Sequence, residues 1–325
     1  MPSLKKIAGV LAISGIAVAI AGSFALRGRA ATQQEQQGPV LKSNVDLVSV
    51  FATVRDKNKR IMGDLKQQDF KIFEDNQEQK IAFFSKEVTL PITIGLLIDT
   101  SGSESNRLGA EQEAAIRFLD RVMRKGDEAM VISFDLDVDL LADFTDDKGM
   151  IEHAVNKARI NAVGGAGVVT PGTVPSNNGG THFYDAVYLA CNDKLATEAG
   201  RKALVIITDA QDEGSKLRLE EAVEAAQRTD TVVHILLVHD PGYGWRPDVA
   251  KKLSDDTGGR TIEVSSEKKL EEAFDQISEE LRSQYQIGYY PSNSNHDGTF
   301  RKIKVETDNK DYKVLARKGY YAPKN

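Results

Sequence analysis

From Pro91 onward, near-continuous apolar runs alternate with amphipathic stretches, and this feature leaves the chain few choices of fold. The apolar runs cover 92–98, 129–134, 203–208, 231–238 and 260–264. A strand that is apolar along its whole length has to be covered on both faces, which is the situation of a parallel sheet. Between the runs, helical periodicity covers 106–124, 148–158, 182–197, 217–228, 247–256 and 267–282. The expectation is a doubly wound, mostly parallel α/β sheet with helices on both faces, Rossmann-like in outline.

The flanks are patterned differently. Residues 45–56 alternate apolar and polar, as in a half-buried strand, and 70–73 and 80–84 read as further short strands with a turn at Asp75-Asn76. After residue 283 strands return at 284–290, 301–306, 313–316 and 319–321. Neither flank has enough strands for a core of its own. The two are therefore expected to pair into one small β-sandwich-like module, formed by 41–88 and 283–325, with an α/β domain at 89–282 inserted between them. At the start, Lys5 and Lys6 precede an uncharged stretch over 7–26. That pattern marks residues 1–30 as a signal peptide or an N-terminal membrane anchor, followed by a polar linker at 31–40. Either way the body is expected to be extracytoplasmic: secreted, periplasmic or on the cell surface. The net charge of −6 argues against phosphate-driven nucleic-acid binding. The single cysteine, Cys191, excludes an intramolecular disulfide and a cysteine-based zinc cluster.

The chemistry gathers at the end of the first long strand, LLIDTSGSESN. Ligands of open α/β sheets bind beyond the carboxyl ends of strands, and Asp99, Ser101 and Ser103 fall in that turn. A carboxylate and two hydroxyls are hard oxygen donors, suited to Mg2+, Mn2+ or Ca2+ rather than zinc. The plainer reading is that the serines cap the next helix. Two further segments fit the same edge: Thr181 ahead of a helix in GGTHFYD, and Asp209 at the end of the apolar strand in ALVIITDAQDEGS.

Asp-x-Ser-x-Ser, a later Thr before a helix and Thr-Asp closing an apolar strand together resemble the von Willebrand factor type A domain. The flanks, DLVSVFATVRDKNKRIMGDLKQQDFKIFED and YQIGYYPSN…GTFRKIKV…RKGYYAP, resemble those of secreted bacterial von Willebrand factor A-related proteins. The resemblance implies a metal-ion-dependent adhesion site. Ser101 and Ser103 would ligate the cation, Asp99 would act mainly through water, and Thr181 and Asp209 would share the remaining positions. It also implies a protein partner whose Glu or Asp carboxylate completes the coordination. One departure is Ala210 where the family often has Gly, which narrows the backbone freedom of that turn.

Gly180, His182, Asp212, Tyr243 and Trp245 are the candidate partner-binding rim, although Trp245 could equally pack on the helix that follows it. The Gly- and Pro-rich stretch 161–180 is a loop and a candidate for partner specificity. Asp135, Asp137 and Asp139 lack the Gly and Glu of a calcium-binding loop and fit a hairpin turn better. His234 and Cys191 read as core residues. Enzyme motifs are missing: no G-x-G-x-x-G follows the first strand, and there is no G-x-x-x-x-G-K-[ST] and no G-x-S-x-G elbow. An aspartyl-phosphate phosphatase would need a second Asp where Ser101 stands. No small-molecule substrate is evident. The expected function is a metal-dependent protein-binding or adhesion module. The alternatives are an envelope scaffold with a vestigial metal site, or a metal-dependent hydrolase using His182 or His239 as base.

Overall fold

The computed structural model describes residues 47–86, 90–160, 180–239 and 244–324; the leader, the linker, residues 161–179 of the loop and Tyr243 lie outside the described residues. Val45–Asn325 form one compact unit. The alternating run near the start becomes β1 (Val48–Arg55), followed by β2 (Phe70–Glu74), β3 (Gln77–Gln79) and β4 (Ile81–Ser85). Asp75 and Asn76 take left-handed backbone angles, φ 48° and 68°, and join β2 to β3 as a two-residue hairpin demands. The sequence pattern does not reveal β3, because Gln-Glu-Gln carries no apolar alternation.

The apolar runs form a six-stranded sheet. β5 (Ile92–Asp99) is buried throughout, and β6 (Glu128–Phe134), β8 (Arg201–Thr208) and β9 (Thr231–Val238) nearly so. With β7 (Val138–Thr145) and β10 (Thr261–Val264), the strand order is β10-β9-β8-β5-β6-β7. All neighbours are parallel except β7, which returns antiparallel to β6 after a turn at Asp135–Asp137. The helices are α1 (Leu108–Val122), α2 (Lys148–Val155), α3 (Phe183–Leu189), α4 (Leu219–Arg228), α5 (Pro247–Thr257) and α6 (Glu267–Arg282). α1, α2 and α6 bury their apolar sides against one face of the sheet, and α3, α4 and α5 against the other. The fold is therefore the doubly wound α/β class that the periodicity implies. One helix is shorter than expected. Over 182–197 the α-helix stops at Leu189, and the chain continues through a wide π turn at Ala190–Lys194 and a tight turn at Leu195–Thr197. This change of pitch keeps Ala190, Cys191 and Leu195 buried while Asn192 and Asp193 face solvent. Burial pushes the Cys191 thiol up to about 12, which leaves it unreactive.

The C-terminal flank supplies β11 (Tyr285–Tyr289), β12 (Phe300–Thr307), β13 (Lys313–Ala316) and β14 (Gly319–Tyr321). Two four-stranded sheets result, β13-β1-β11-β4 and β14-β12-β2-β3, and each mixes strands from both flanks. They share one core, with Val50, Ala52 and Val54 packed with Phe70, Ile72, Tyr285, Ile287 and Ile303.

A buried ionic cluster ties this sandwich to the α/β layers. Glu280 of α6 is 1% exposed and accepts a hydrogen bond from the Arg55 guanidinium of β1. Arg260 reaches the same carboxylate at 2.9 Å, and His234 of β9 lies 3.6 Å from its other oxygen. Burial, and then the nearby Arg260 and Arg55, hold the His234 imidazole down to about 3, so it is a neutral core histidine.

Two predictions follow from this cluster. Glu280→Gln strands the buried Arg55 guanidinium and weakens the hold on the half-buried Arg260, and should cost about 3–5 kcal/mol in chemical denaturation; a loss below about 1 kcal/mol would refute the role of the cluster. His234 is neutral when folded but protonates in the unfolded chain below about pH 6.5, so the unfolded state binds more protons on acidification and stability falls. The slope should approach about 1.4 kcal/mol per pH unit between there and pH 3, and His234→Gln should flatten it. Identical acid limbs in both proteins would contradict the assignment.

Candidate metal centre

Asp99 is the last residue of β5, and Asp209 follows the last residue of β8. The two strands are parallel neighbours, so both carboxylates leave the sheet at the same edge. Onward from β5 the chain builds β6 on one side, while β8 and β9 lie on the other, so this edge is where the strand order reverses.

Local hydrogen bonds fix the donors. Thr208 Oγ1 donates to Asp99 Oδ2 at 2.6 Å and accepts from the Ala210 amide at 2.9 Å. The Ser101 amide donates to Asp99 Oδ1 at 3.0 Å, and the Ser101 and Ser103 hydroxyls lie 3.0 Å apart. Ser101 opens a short 3-10 turn over Gly102–Glu104 without a side-chain cap bond, and α1 begins only at Leu108 behind Arg107. The serines are therefore not spent as helix caps. This short turn stands between the serines and the start of α1. Asp209 accepts from the Gln211 amide at 2.9 Å and from Gln211 Nε2 at 3.0 Å. Ala210 adopts φ 60°, the left-handed region that Gly enters freely, at a cost of roughly 1–2 kcal/mol for a residue with a Cβ.

Thr181 is buried, 7% exposed, and pairs its backbone with Glu213 in both directions, at 3.1 and 2.9 Å. That bridge ties it to the segment that follows Asp209. Of the expected rim, Gly180 sits tight against Glu213, where an added Cβ would meet its carbonyl oxygen at 2.6 Å. Asp212 is occupied, accepting from the Tyr184 amide at 3.1 Å and the Ser215 hydroxyl at 2.5 Å, and so secures the first turn of α3. His182 lies beside Gly214 and is half-buried. Trp245 is half-buried against the α3–α5 side, its ring 4.6 Å from that of His239. Its segment joins the same edge, because the Arg246 amide donates to the Asp209 carbonyl at 2.8 Å and Gln211 donates to the Gly244 carbonyl at 3.0 Å. Asp135 caps its own turn through the Asp137 amide and accepts from the Thr100 hydroxyl at 3.0 Å, so it buttresses the residue after Asp99.

The structure adds two acids that the sequence reading passes over. Glu104, 2% exposed, brings a carboxylate oxygen within 4.8 Å of those of Asp99 and Asp209. Glu111, 1% exposed, faces Glu104 from α1. A signal was present: Glu111 stands among Leu108, Ala115 and Leu119 on the apolar stripe of α1. Glu104 Oε2 and both Glu111 oxygens have no hydrogen-bond donor, and the Arg107 guanidinium turns away to the His239 carbonyl at 2.7 Å. Burial, then the charge of Asp209, pushes Asp99 up to about 7. Burial raises both glutamates as well, and their mutual repulsion adds to the shift of Glu104. Buried carboxyls without basic partners are compensated by a proton or by a cation. A donor set made only of carboxylates and hydroxyls fits a hard divalent cation.

Thr208→Val should leave one Asp99 oxygen and the Ala210 amide without their partner. A loss of about 1–3 kcal/mol in thermal unfolding checks this, and an unchanged melting temperature would show that the threonine does not position Asp99.

Residues 94–211 match the family model of the von Willebrand factor type A domain, a span that contains Asp99, Ser101, Ser103, Thr181 and Asp209. Among solved structures, the von Willebrand factor type A protein from Catenulispora acidiphila is 12% identical and covers 81% of this chain and 75% of its own, with a TM-score of 0.50. Proximal thread matrix protein 1 from the mussel byssus is 15% identical over 73% of this chain, with a TM-score of 0.48. The match spans 50% of that mussel protein, so the chain corresponds to about half its length. A second structure of it, with a zinc-occupied MIDAS motif, is 16% identical over 64% of this chain and 49% of its own, with a TM-score of 0.48. At these identities the likeness is one of fold. A search of curated proteins found no match.

Proposed function

With residues 94–211 a von Willebrand factor type A domain, we propose that the chain is an extracytoplasmic, metal-dependent protein-binding module. Asp99, Ser101, Ser103, Thr181 and Asp209 hold a divalent cation, Mg2+ first, with Mn2+ and Ca2+ as substitutes. When bound, the cation supplies a Lewis-acidic position for a Glu or Asp carboxylate of a protein partner. The chain's own groups do the rest. Thr208 and the Ser101 amide hold the Asp99 carboxylate at the edge, Gln211 holds Asp209, and the segment at 244–246 borders the approach. The mode of action is coordination rather than turnover. The observation that carries the reading is the convergence of buried Asp99 and Asp209 at the switch point, next to two uncapped serine hydroxyls. The location outside the cytoplasm rests on Lys5, Lys6 and the uncharged stretch after them. Among the described residues no helix is long and apolar enough to cross a membrane.

Calorimetric titration of Mg2+, Mn2+ and Ca2+ into residues 40–325 tests the site. Saturable binding should be lost in Asp99→Ala and in Asp209→Ala while both variants keep their fold by circular dichroism. Partner capture should then disappear with chelator. Wild-type protein that takes up none of the three ions would overturn the reading, as would capture that survives chelation.

A further inference from the structure

We infer that Glu104 is a direct cation ligand, so that in the partner-free protein three carboxylates, those of Asp99, Glu104 and Asp209, converge on the ion. This inference rests on the metal-site reading above and extends it to a residue outside the five positions of the family motif. Carboxylate oxygens of all three residues lie within 4.8 Å of one another, close enough to share one ion. All three residues are buried, Asp99 at 0%, Glu104 at 2% and Asp209 at 3% exposure. Two of them are held by donors. Asp99 accepts from Thr208 and Ser101, and Asp209 accepts from Gln211. Glu104 is different: its Oε2 is buried and finds no donor.

No basic side chain among the described residues accounts for that carboxylate. No ion pair joins it to a lysine or arginine among the described residues, and Arg107, three residues on, is turned to the His239 carbonyl. Glu111 is not a counter-ion for it: the two carboxyls can share a proton when no cation is bound, and burial raises both. A carboxylate brought into an apolar interior beside three others raises the free energy of the cation-free fold. A divalent ion reverses the sign of that interaction for every member of the group. The backbone supports the assignment: Glu104 closes the 3-10 turn that begins at Ser101, so the turn that brings Ser101 and Ser103 to the site brings Glu104 with them. Glu104 would then occupy, from within the chain, a coordination position that a partner carboxylate or a water fills elsewhere. Cation affinity in such sites depends on the number of charged ligands.

The test is Mn2+ titration of wild type, Glu104→Gln and Glu113→Gln, followed by calorimetry and by the Mn2+ electron paramagnetic resonance signal. Glu113 is on α1 but 76% exposed, and serves as the control for long-range charge. Glu104→Gln should weaken Mn2+ binding by about tenfold or more, on the scale of losing a supporting or direct metal contact, while Glu113→Gln stays within about twofold. With Mn2+ the gain in melting temperature should be smaller for Glu104→Gln than for wild type. Equal Mn2+ affinity for wild type and Glu104→Gln, with binding still abolished by Asp99→Ala, overturns this inference and leaves the metal-site reading standing. Absence of Mn2+ binding in the wild type overturns both. Infrared difference spectra of wild type labelled with carboxylate-13C glutamate give an answer that does not depend on the variant folding. After subtraction of the Asp99→Ala spectrum, a labelled glutamate band should shift on addition of Mn2+. A shift confined to unlabelled aspartate bands excludes Glu104 from the coordination.

Discussion

Repulsion among buried carboxylates at the edge of β5 and β8 is the constraint around which this molecule is arranged. Asp99, Glu104 and Asp209 are buried together beyond the carboxyl ends of β5 and β8. The surroundings are organised to make that tolerable. Thr208 and the Ser101 amide donate to Asp99, Gln211 donates twice to Asp209, and Ala210 accepts a left-handed backbone so that its amide can reach Thr208. Each of these contacts restrains one carboxylate, and none of them neutralises the group. Carboxyls gathered in this way are costly in their charged form, and burial raises Asp99 and Glu104 accordingly.

The architecture of the six-stranded sheet was legible because burial on both faces writes itself into composition: β9 falls on the residues that the apolar pattern marks, and α6 does so on helical periodicity. The doubly wound order then fixes where Asp99 and Asp209 must emerge. The residues Asp99, Ser101 and Ser103 were legible because they are adjacent in the chain. Glu104 stands beside them, yet a glutamate after a serine in a turn is unremarkable until its burial is known. Glu111 was hidden for the opposite reason, since one acid on an otherwise apolar helical stripe reads as tolerance rather than as placement. The Glu280 cluster was beyond reach, because its partners Arg55 and Glu280 stand 225 residues apart. No spacing rule relates such residues; only the folded sandwich brings them together.

The cluster also shows how two differently built parts become one unit. β1 contributes Arg55, β9 contributes His234, and α6 contributes Glu280, so the junction is ionic at its centre and apolar around it. A buried ion cluster contributes little net stability compared with apolar packing. Here its contacts join α6 to β1 and β9.

The interleaved sandwich carries a consequence for the order in which the chain can acquire its structure. Val48 of β1 pairs with Tyr289 of β11, and Ala52 with Ala316 of β13, so the first strand of the described chain has to wait for the last ones. During synthesis the α/β segment can form its local strand–helix contacts early. Val50, Ala52 and Val54 meanwhile present an apolar face with no sheet to receive it. Such long-range closure is slow, and the exposed strand is prone to pair with the wrong edge. The sandwich is thus the last part to close, because its sheets need strands from both sides of the α/β segment.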